Sequence, residues 1–253
     1  MTTLKGKKVC ITGASSGIGE ACARAFANAG CTLLLIARRS DRLEKLKSDL
    51  ENQYKVPVST IKLDVRERDQ VFSILNNITD VDILINNAGL ALGLKGAHEL
   101  DPDAIDRMID TNVKGLMNVT QAITPQMVKR RSGDIINIGS IAGYEVYPGG
   151  TIYCATKHAV DAITKGLRMD LVDTPLRVSS IDPGAVNTEF STIRFGGDKA
   201  RADKVYQGFE ALKGEDIAET AVFIASRPAH VQIASMVILA TSQAAATMIH
   251  RNN

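Results

Sequence analysis

The sequence predicts an α/β protein built on a seven-stranded parallel sheet with helices on both faces. Two observations carry this. Short apolar runs rich in β-branched residues alternate with amphipathic stretches from end to end. Most of those runs are apolar throughout, as strands covered by helices on both faces are. No Pro/Ser-rich linker, internal repeat or charge block interrupts the alternation, so residues 1–253 read as one doubly wound domain.

The first expected strand, Lys8 to Thr12, runs into a glycine-rich turn and a helix ending near Gly30. The second, Thr32 to Ala37, precedes a helix whose Leu43, Leu46 and Leu50 fall at i, i+3 and i+7, one face of a helical turn. The third is Val58 to Leu63. The fourth, Val81 to Asn86, stops in the turn-forming Asn86-Asn87-Ala88-Gly89. Asp101-Pro102 then supplies an N-cap and a proline at the first helical position, opening a helix striped by Ile105, Met108, Ile109, Val113 and Leu116. Lys129-Arg130-Arg131 closes the helix before the fifth strand, where positive charge complements the helix dipole and implies no nucleic-acid patch. The remaining strands are Asp134 to Gly139, Arg177 to Ile181 and Met236 to Thr241. From Pro183 to about Lys213 no period is visible, and the segment reads either as a lid over a binding site or as a disordered surface loop. The C-terminal stretch from Thr241 to Asn253 either packs across a subunit boundary or frays.

Composition excludes several classes. Thirty Lys+Arg against 28 Asp+Glu give a net charge of +2, too little for nucleic acid or an anionic membrane to be the default partner. No apolar run approaches the roughly 20 residues that span a bilayer, and the N-terminus carries no apolar stretch of signal-peptide length. Cys10, Cys22, Cys31 and Cys154 form no CxxC pair, which suits four free thiols in a reducing, cytoplasmic compartment. His98, His158, His230 and His250 show no metal-binding spacing, so no metal is expected.

Three features carry chemistry. Thr12-Gly13-Ala14-Ser15-Ser16-Gly17-Ile18-Gly19 joins the first strand to the first helix, and free N–H groups at such a helix start attract phosphate. The pattern TGxxxGxG departs from GxGxxG, and no Lys-Ser/Thr follows as in a P-loop. Glycine there also serves simple tight packing. Beyond the second strand, where an NAD-selective fold places an acid, stand Arg38 and Arg39. Guanidinium groups there suit the 2′-phosphate of NADP(H); the alternative is a solvated turn with pairing to acids such as Asp41. Finally, Tyr153 and Lys157 lie one helical turn apart, and an ammonium beside a phenol lowers its pKa from near 10 toward a useful acid/base range. Alone, that pair equally fits an exposed helix with a snorkelling lysine. Ser140 closes the fifth strand, at the end of the sheet where α/β active sites lie, and Asn112 sits in a helix that it does not favour.

Together, Thr12 to Gly19, Asn86 to Gly89, Asn112, Ser140 and Tyr153/Lys157 resemble the short-chain dehydrogenase/reductase family over most of the chain. The resemblance implies a single Rossmann-like domain and a catalytic tetrad of Asn112, Ser140, Tyr153 and Lys157. Tyr153 would exchange the proton, Lys157 lower its pKa and fix the nicotinamide ribose, Ser140 orient the oxygen, and Asn112 support a water relay. It places the cofactor against Gly13, Ser15, Ser16, Gly17, Ile18 and Gly19, against Arg38 and Arg39, and against Asp64 and Val65 near the adenine. It also places Asn87, Ala88 and Gly89 in support, with Pro183, Gly184, Val186 and Thr188 bordering the nicotinamide. Asn86 to Gly93, Thr188-Glu189-Phe190-Ser191 followed by Arg194-Phe195, and Pro228-Ala229-His230-Val231 resemble, more narrowly, the NADP-dependent 3-hydroxy acid (serine or L-allo-threonine) dehydrogenases. That subgroup implies substrates of the serine, allo-threonine, 3-hydroxyisobutyrate or malonic semialdehyde type, and a homotetramer built through the helices containing Asn112 and Tyr153.

A carboxylate substrate calls for a cation, and Arg194 is the candidate, with Lys199 second; either is otherwise a solvated loop charge. Two rivals stay open: a reductase of another carbonyl, such as a 3-oxoacyl thioester, steroid or sugar, and a nucleotide-sensing regulator without chemistry.

Overall fold

The computed structural model describes residues 2–252. Among them, seven strands form one sheet: β1 Lys8–Thr12, β2 Thr32–Ala37, β3 Val58–Lys62, β4 Ile83–Asn86, β5 Asp134–Ile138, β6 Arg177–Pro183 and β7 Ser235–Ile238. Their order is β3-β2-β1-β4-β5-β6-β7, and every neighbouring pair runs parallel. The expected strands are all present: β1 and β2 at the expected bounds, the other five with an end shifted by one to three residues. The direction of winding reverses between β1 and β4, and that switch opens a crevice beyond the carboxyl ends of the strands.

The helices are α1 Gly17–Asn28, α2 Ser40–Tyr54, α3 Arg68–Leu75, α4 Pro102–Ile109, α5 Leu116–Arg130, α6 Thr151–Asp170, α7 Glu189–Arg194, α8 Lys199–Lys204 and α9 Gly214–Ala225. Alternate residues of each central strand serve opposite faces. Val9, Ile11, Leu33 and Leu35 pack with Phe26 of α1, Leu43 and Leu50 of α2 and Ile217 of α9. Cys10, Leu34 and Leu84 pack on the other face with Val71 of α3 and Val119, Ile123 and Met127 of α5. Each such side chain, fully buried, stabilises the fold by about 1.5–3 kcal/mol. Cys10, Cys22, Cys31 and Cys154 are all free and buried, and burial pushes the first three thiols up to about 12.

Three expectations are modified. The Asp101-capped helix is not uniform, because a π-helical stretch, Asp110–Gly115, links α4 to α5. Only Met108 and Leu116 of its predicted stripe are buried, and Ile109 is exposed. The segment after Pro183 is ordered: α7 is capped by Thr188 and α8 by Asp198, with Gly196 and Gly197 at positive φ between them. A bridge between Val186 and Leu212 closes its base. The described part of the C-terminal stretch is ordered against its own chain. It folds back through a Gln243–Ile249 bridge, and Asn252 and Arg251 bond to backbone carbonyls of Gly208 and Val205. Among the described residues no helix is long and apolar enough to cross a membrane.

Candidate active site

The glycine-rich turn is shaped by backbone conformations that side chains resist. Gly13 (φ +67°) and Gly17 (φ +57°) are left-handed. A Cβ on Gly19 would collide with the Gly13 carbonyl and come within 2.5 Å of Asn87 Nδ2. The turn is also tied to the end of β4. Asn87 Nδ2 donates to the carbonyls of Thr12 (2.9 Å) and Gly13 (3.3 Å), while Asn87 N and Ala88 N both donate to Thr12 Oγ1 at 3.0 Å. Ser16 makes no side-chain cap on α1, so the first-turn N–H groups of that helix face the crevice without a side-chain acceptor.

The Ser15 and Ser16 hydroxyls instead accept from Arg39, at 3.1 Å from Nε and 2.6 Å from Nη2. Arg39 Nη1 donates to Glu189 Oε2 (2.9 Å), and Arg42 Nη1 donates to both oxygens of the same carboxylate (2.7 and 2.8 Å). These bonds, Arg42's first and then Arg39's, hold the Glu189 carboxyl below the usual range. Arg38 turns away toward Asp64, 3.8 Å distant. Partial burial opposes ionisation of Asp64, but paired hydrogen bonds from Arg66 outweigh it and keep its carboxyl low.

At the other end of the crevice, Ser140 follows β5 in extended conformation, and its Oγ accepts from Ala142 N at 3.1 Å and donates to the Pro183 carbonyl at 3.4 Å. Tyr153 and Lys157 project from the first two turns of α6, both buried. Lys157 Nζ donates to the Ile138 carbonyl at 2.8 Å and lies 5.9 Å from the Tyr153 ring centroid. Burial pulls the Lys157 pKa down to about 8. Burial raises the Tyr153 pKa above its ordinary value, and the Ser140 hydroxyl and Arg194 oppose the rise.

Asn112, in the π-helical stretch, has its side chain fully engaged. Oδ1 accepts from Leu90 N, and Nδ2 donates to the Leu90 carbonyl and to Thr156 Oγ1, at 2.8, 2.8 and 3.0 Å. It therefore clasps the segment after β4 to α6. Both side-chain N–H groups of Asn112 are spent on these contacts.

Arg194, last residue of α7, comes back over this end. Its guanidinium carbon is 5.9 Å from the Tyr153 ring centroid and 5.4 Å from that of Tyr147, and Nη1 donates to Tyr147 Oη at 3.1 Å. Its Nη2 is buried without a hydrogen-bond partner. Phe190 packs on Tyr153 with ring centroids 5.5 Å apart. Lys199 is exposed at the start of α8 and lies outside the crevice, which removes it as an anion ligand.

The crevice holds about 620 Å³ and unites the two ends. Gly13, Ser15, Ser16, Gly17, Ile18, Arg38, Arg39, Asp64, Val65, Asn87, Ala88 and Gly89 line one part; Ser140, Tyr153, Lys157, Pro183, Gly184, Val186, Thr188 and Arg194 line the rest. Gly19 and Asn112 lie behind the wall. Tyr147, Glu189 and Gln243 also line it, and Arg42 reaches it through Glu189. No sequence spacing links these residues, since each arrives from a separate segment; only Glu189 falls within a stretch that carries the family resemblance.

Residues 7–195 match the short chain dehydrogenase family. The chain is 43% identical over 256 residues to the NADP-dependent 3-hydroxy acid dehydrogenase of Schizosaccharomyces pombe, covering 99% of each. It is 45% identical over 241 residues to the sulfoacetaldehyde reductase of Chromohalobacter salexigens, covering 93% of this chain and 94% of that protein. A solved closed form of serine dehydrogenase complexed with NADP+ superposes with a TM-score of 0.89 at 42% identity, covering 96% of this chain and 99% of that one. With the glycine turn, Ser140, Tyr153 and Lys157 gathered in one crevice, the chain belongs to the short-chain dehydrogenase family.

Proposed function

We propose that the protein is an NADP-dependent oxidoreductase acting between a 3-hydroxy acid, of the serine, allo-threonine, 3-hydroxyisobutyrate or 3-hydroxypropionate type, and the corresponding carbonyl. One observation carries the substrate class: the partnerless, buried Nη2 of Arg194 beside Tyr153. A buried guanidinium N–H without an acceptor is costly, and a substrate carboxylate satisfies it. The other end suits the dinucleotide. The left-handed Gly13 and Gly17 turn the chain into the uncapped start of α1, whose N–H groups suit a phosphate, and Arg39 with Ser15 and Ser16 forms a cluster of donors suited to a 2′-phosphate. Arg38, Asp64 and Val65 would flank the adenosine, with Asn87 to Gly89, Pro183, Gly184, Val186 and Thr188 along the remainder. When bound, the cofactor supplies or accepts hydride at the nicotinamide ring.

The chain's residues then divide the remaining work. Burial keeps Tyr153 protonated, the form that gives its proton to the carbonyl oxygen in reduction, and the reverse transfer serves oxidation. Ser140 Oγ orients that oxygen beside the phenol. Lys157, anchored on Ile138, places a positive charge near the phenol and would hold the nicotinamide ribose. Arg194 holds the carboxylate, and Asn112 fixes the segment after β4 against α6.

The test is a panel. NADPH oxidation with malonic semialdehyde, and NADP+ reduction with 3-hydroxy acids, should far exceed turnover of neutral secondary alcohols and their ketones. Equal rates on neutral alcohols would refute the acid specificity, and binding of NADPH with no turnover of any carbonyl would leave a nucleotide sensor. The 45% identity to a sulfoacetaldehyde reductase favours a second reading, because a guanidinium also accepts a sulfonate. Sulfoacetaldehyde belongs in the same panel. The exposed faces of α5 and α6 are the surfaces through which a homotetramer would assemble, and four free thiols suit work in the cytoplasm. Light scattering of the purified protein checks the first.

A further inference from the structure

Asp182 is a buried carboxylate that the proposed chemistry leaves unused. It sits on β6 one residue ahead of Pro183, is 2% exposed, and does not line the crevice. Its Oδ2 accepts from Ser180 Oγ at 2.8 Å and from Tyr144 Oη at 3.0 Å. Its Oδ1 lies directly over Gly139, in the space a Cβ there would fill. Gly139 follows Ile138, whose carbonyl holds Lys157 Nζ at 2.8 Å. Two buried groups of opposite charge therefore flank the same short stretch, Ile138–Gly139, at the end of β5. Burying a carboxylate or an ammonium is costly. The Ser180 and Tyr144 hydroxyls and then Lys157 oppose that cost for Asp182, and Asp182 opposes it for Lys157.

We propose that Asp182 is a positioning residue that keeps Lys157 in its charged form, acting across the Ile138–Gly139 stretch without touching substrate or cofactor. The fold fixes this arrangement. Gly139 has no side chain to separate the two groups, and Ser180 and Tyr144 aim the carboxylate. The charged and titratable neighbours are few. Lys157 faces Tyr153 on its own helix and Asp182 from β6. Asp182 faces Lys157 and Asp161 from α6 and Tyr144 from the turn after β5; Asp161 is itself paired with Lys165 at 2.7 Å. Burial lowers Lys157 and Asp182 opposes that fall; burial raises Asp182 and Ser180, Tyr144 and Lys157 oppose that rise. Loss of the carboxylate leaves the ammonium with desolvation alone.

The inference rests on Lys157 serving the proposed active site, but its test does not. In cofactor-free protein, the Lys157 Cε resonance, assigned by its loss in Lys157→Met, is followed against pH by 13C NMR. Asp182→Asn should lower the titration midpoint by about one pH unit, so that at the wild-type midpoint the protonated fraction falls from about half to about a tenth. Asp182→Glu should restore most of the shift, and Tyr144→Phe, which keeps the charge, should move it far less. Asp182→Ser, smaller and neutral, serves if the Asn variant does not fold. The alkaline limb of NADPH-dependent reduction should move down in step with the resonance. An unchanged Lys157 titration in the neutral variants, or an equal shift in Tyr144→Phe, overturns the proposal. A shifted titration in a protein that turns over no 3-hydroxy acid would overturn the functional reading and leave this one standing.

Discussion

Arg39 and Glu189, 150 residues apart in sequence, form an ion pair of 2.9 Å that ties the end of β2 to the first residue of α7. The same guanidinium grips Ser15 and Ser16 of the glycine-rich turn. An acid thus competes with any cofactor phosphate for Arg39. Replacing Arg39 by Ala should weaken NADPH binding by about 10- to 100-fold, from the loss of charge-assisted hydrogen bonds, with little change for NADH. Glu189→Gln should tighten NADPH, again with little effect on NADH. Fluorescence titration of both nucleotides measures this, and parallel changes for the two would contradict it.

Tyr153→Phe removes the phenol beside Ser140 while keeping the ring that packs on Phe190. Turnover should fall at least 1,000-fold, somewhat beyond the 10²–10⁴ range's lower part for general acid–base groups, with NADPH affinity retained. Stopped-flow reduction and nucleotide titration separate the two effects.

Arg194→Ala should raise KM for a 3-hydroxy acid by about 10- to 100-fold, the size of a lost charge-assisted bond of about 1.5–3 kcal/mol. Neutral alcohols should show little change. Tyr147→Phe removes the hydroxyl that orients Arg194 and should give a smaller change in the same direction.

Burial places Lys157 at about 8, and a lysine is charged below its pKa. NADPH affinity should therefore hold level up to about pH 7.5 and weaken as pH rises through 8. Binding titrations from pH 6.5 to 9.5 test this, and Lys157→Met should bind weakly with no inflection near 8.

Gly19→Ala introduces a Cβ against the Gly13 carbonyl and Asn87. The turn must shift, at a cost of about 1–3 kcal/mol, and urea denaturation should show that loss together with weaker NADPH binding.

The sequence by itself determined the strand order along the chain, the glycine turn and the Tyr153/Lys157 pair, because each is written in local spacing. Continuous apolarity marks a doubly covered strand, positive φ calls for glycine, and four residues make one helical turn. Helices α7 and α8 escaped notice because six residues are too few to display a period. The tertiary structure alone decided what lies between distant segments. It brought Glu189 to Arg39, Tyr147 to Arg194 and Asp182 to the far side of Gly139, and it spent the Asn112 side chain on Leu90 and Thr156. It also set the charges: Tyr153 rises and Lys157 falls because both are taken out of water. Residue type and spacing name the groups, but burial and the neighbours supplied by other strands fix their protonation, and those exist only once the chain has folded.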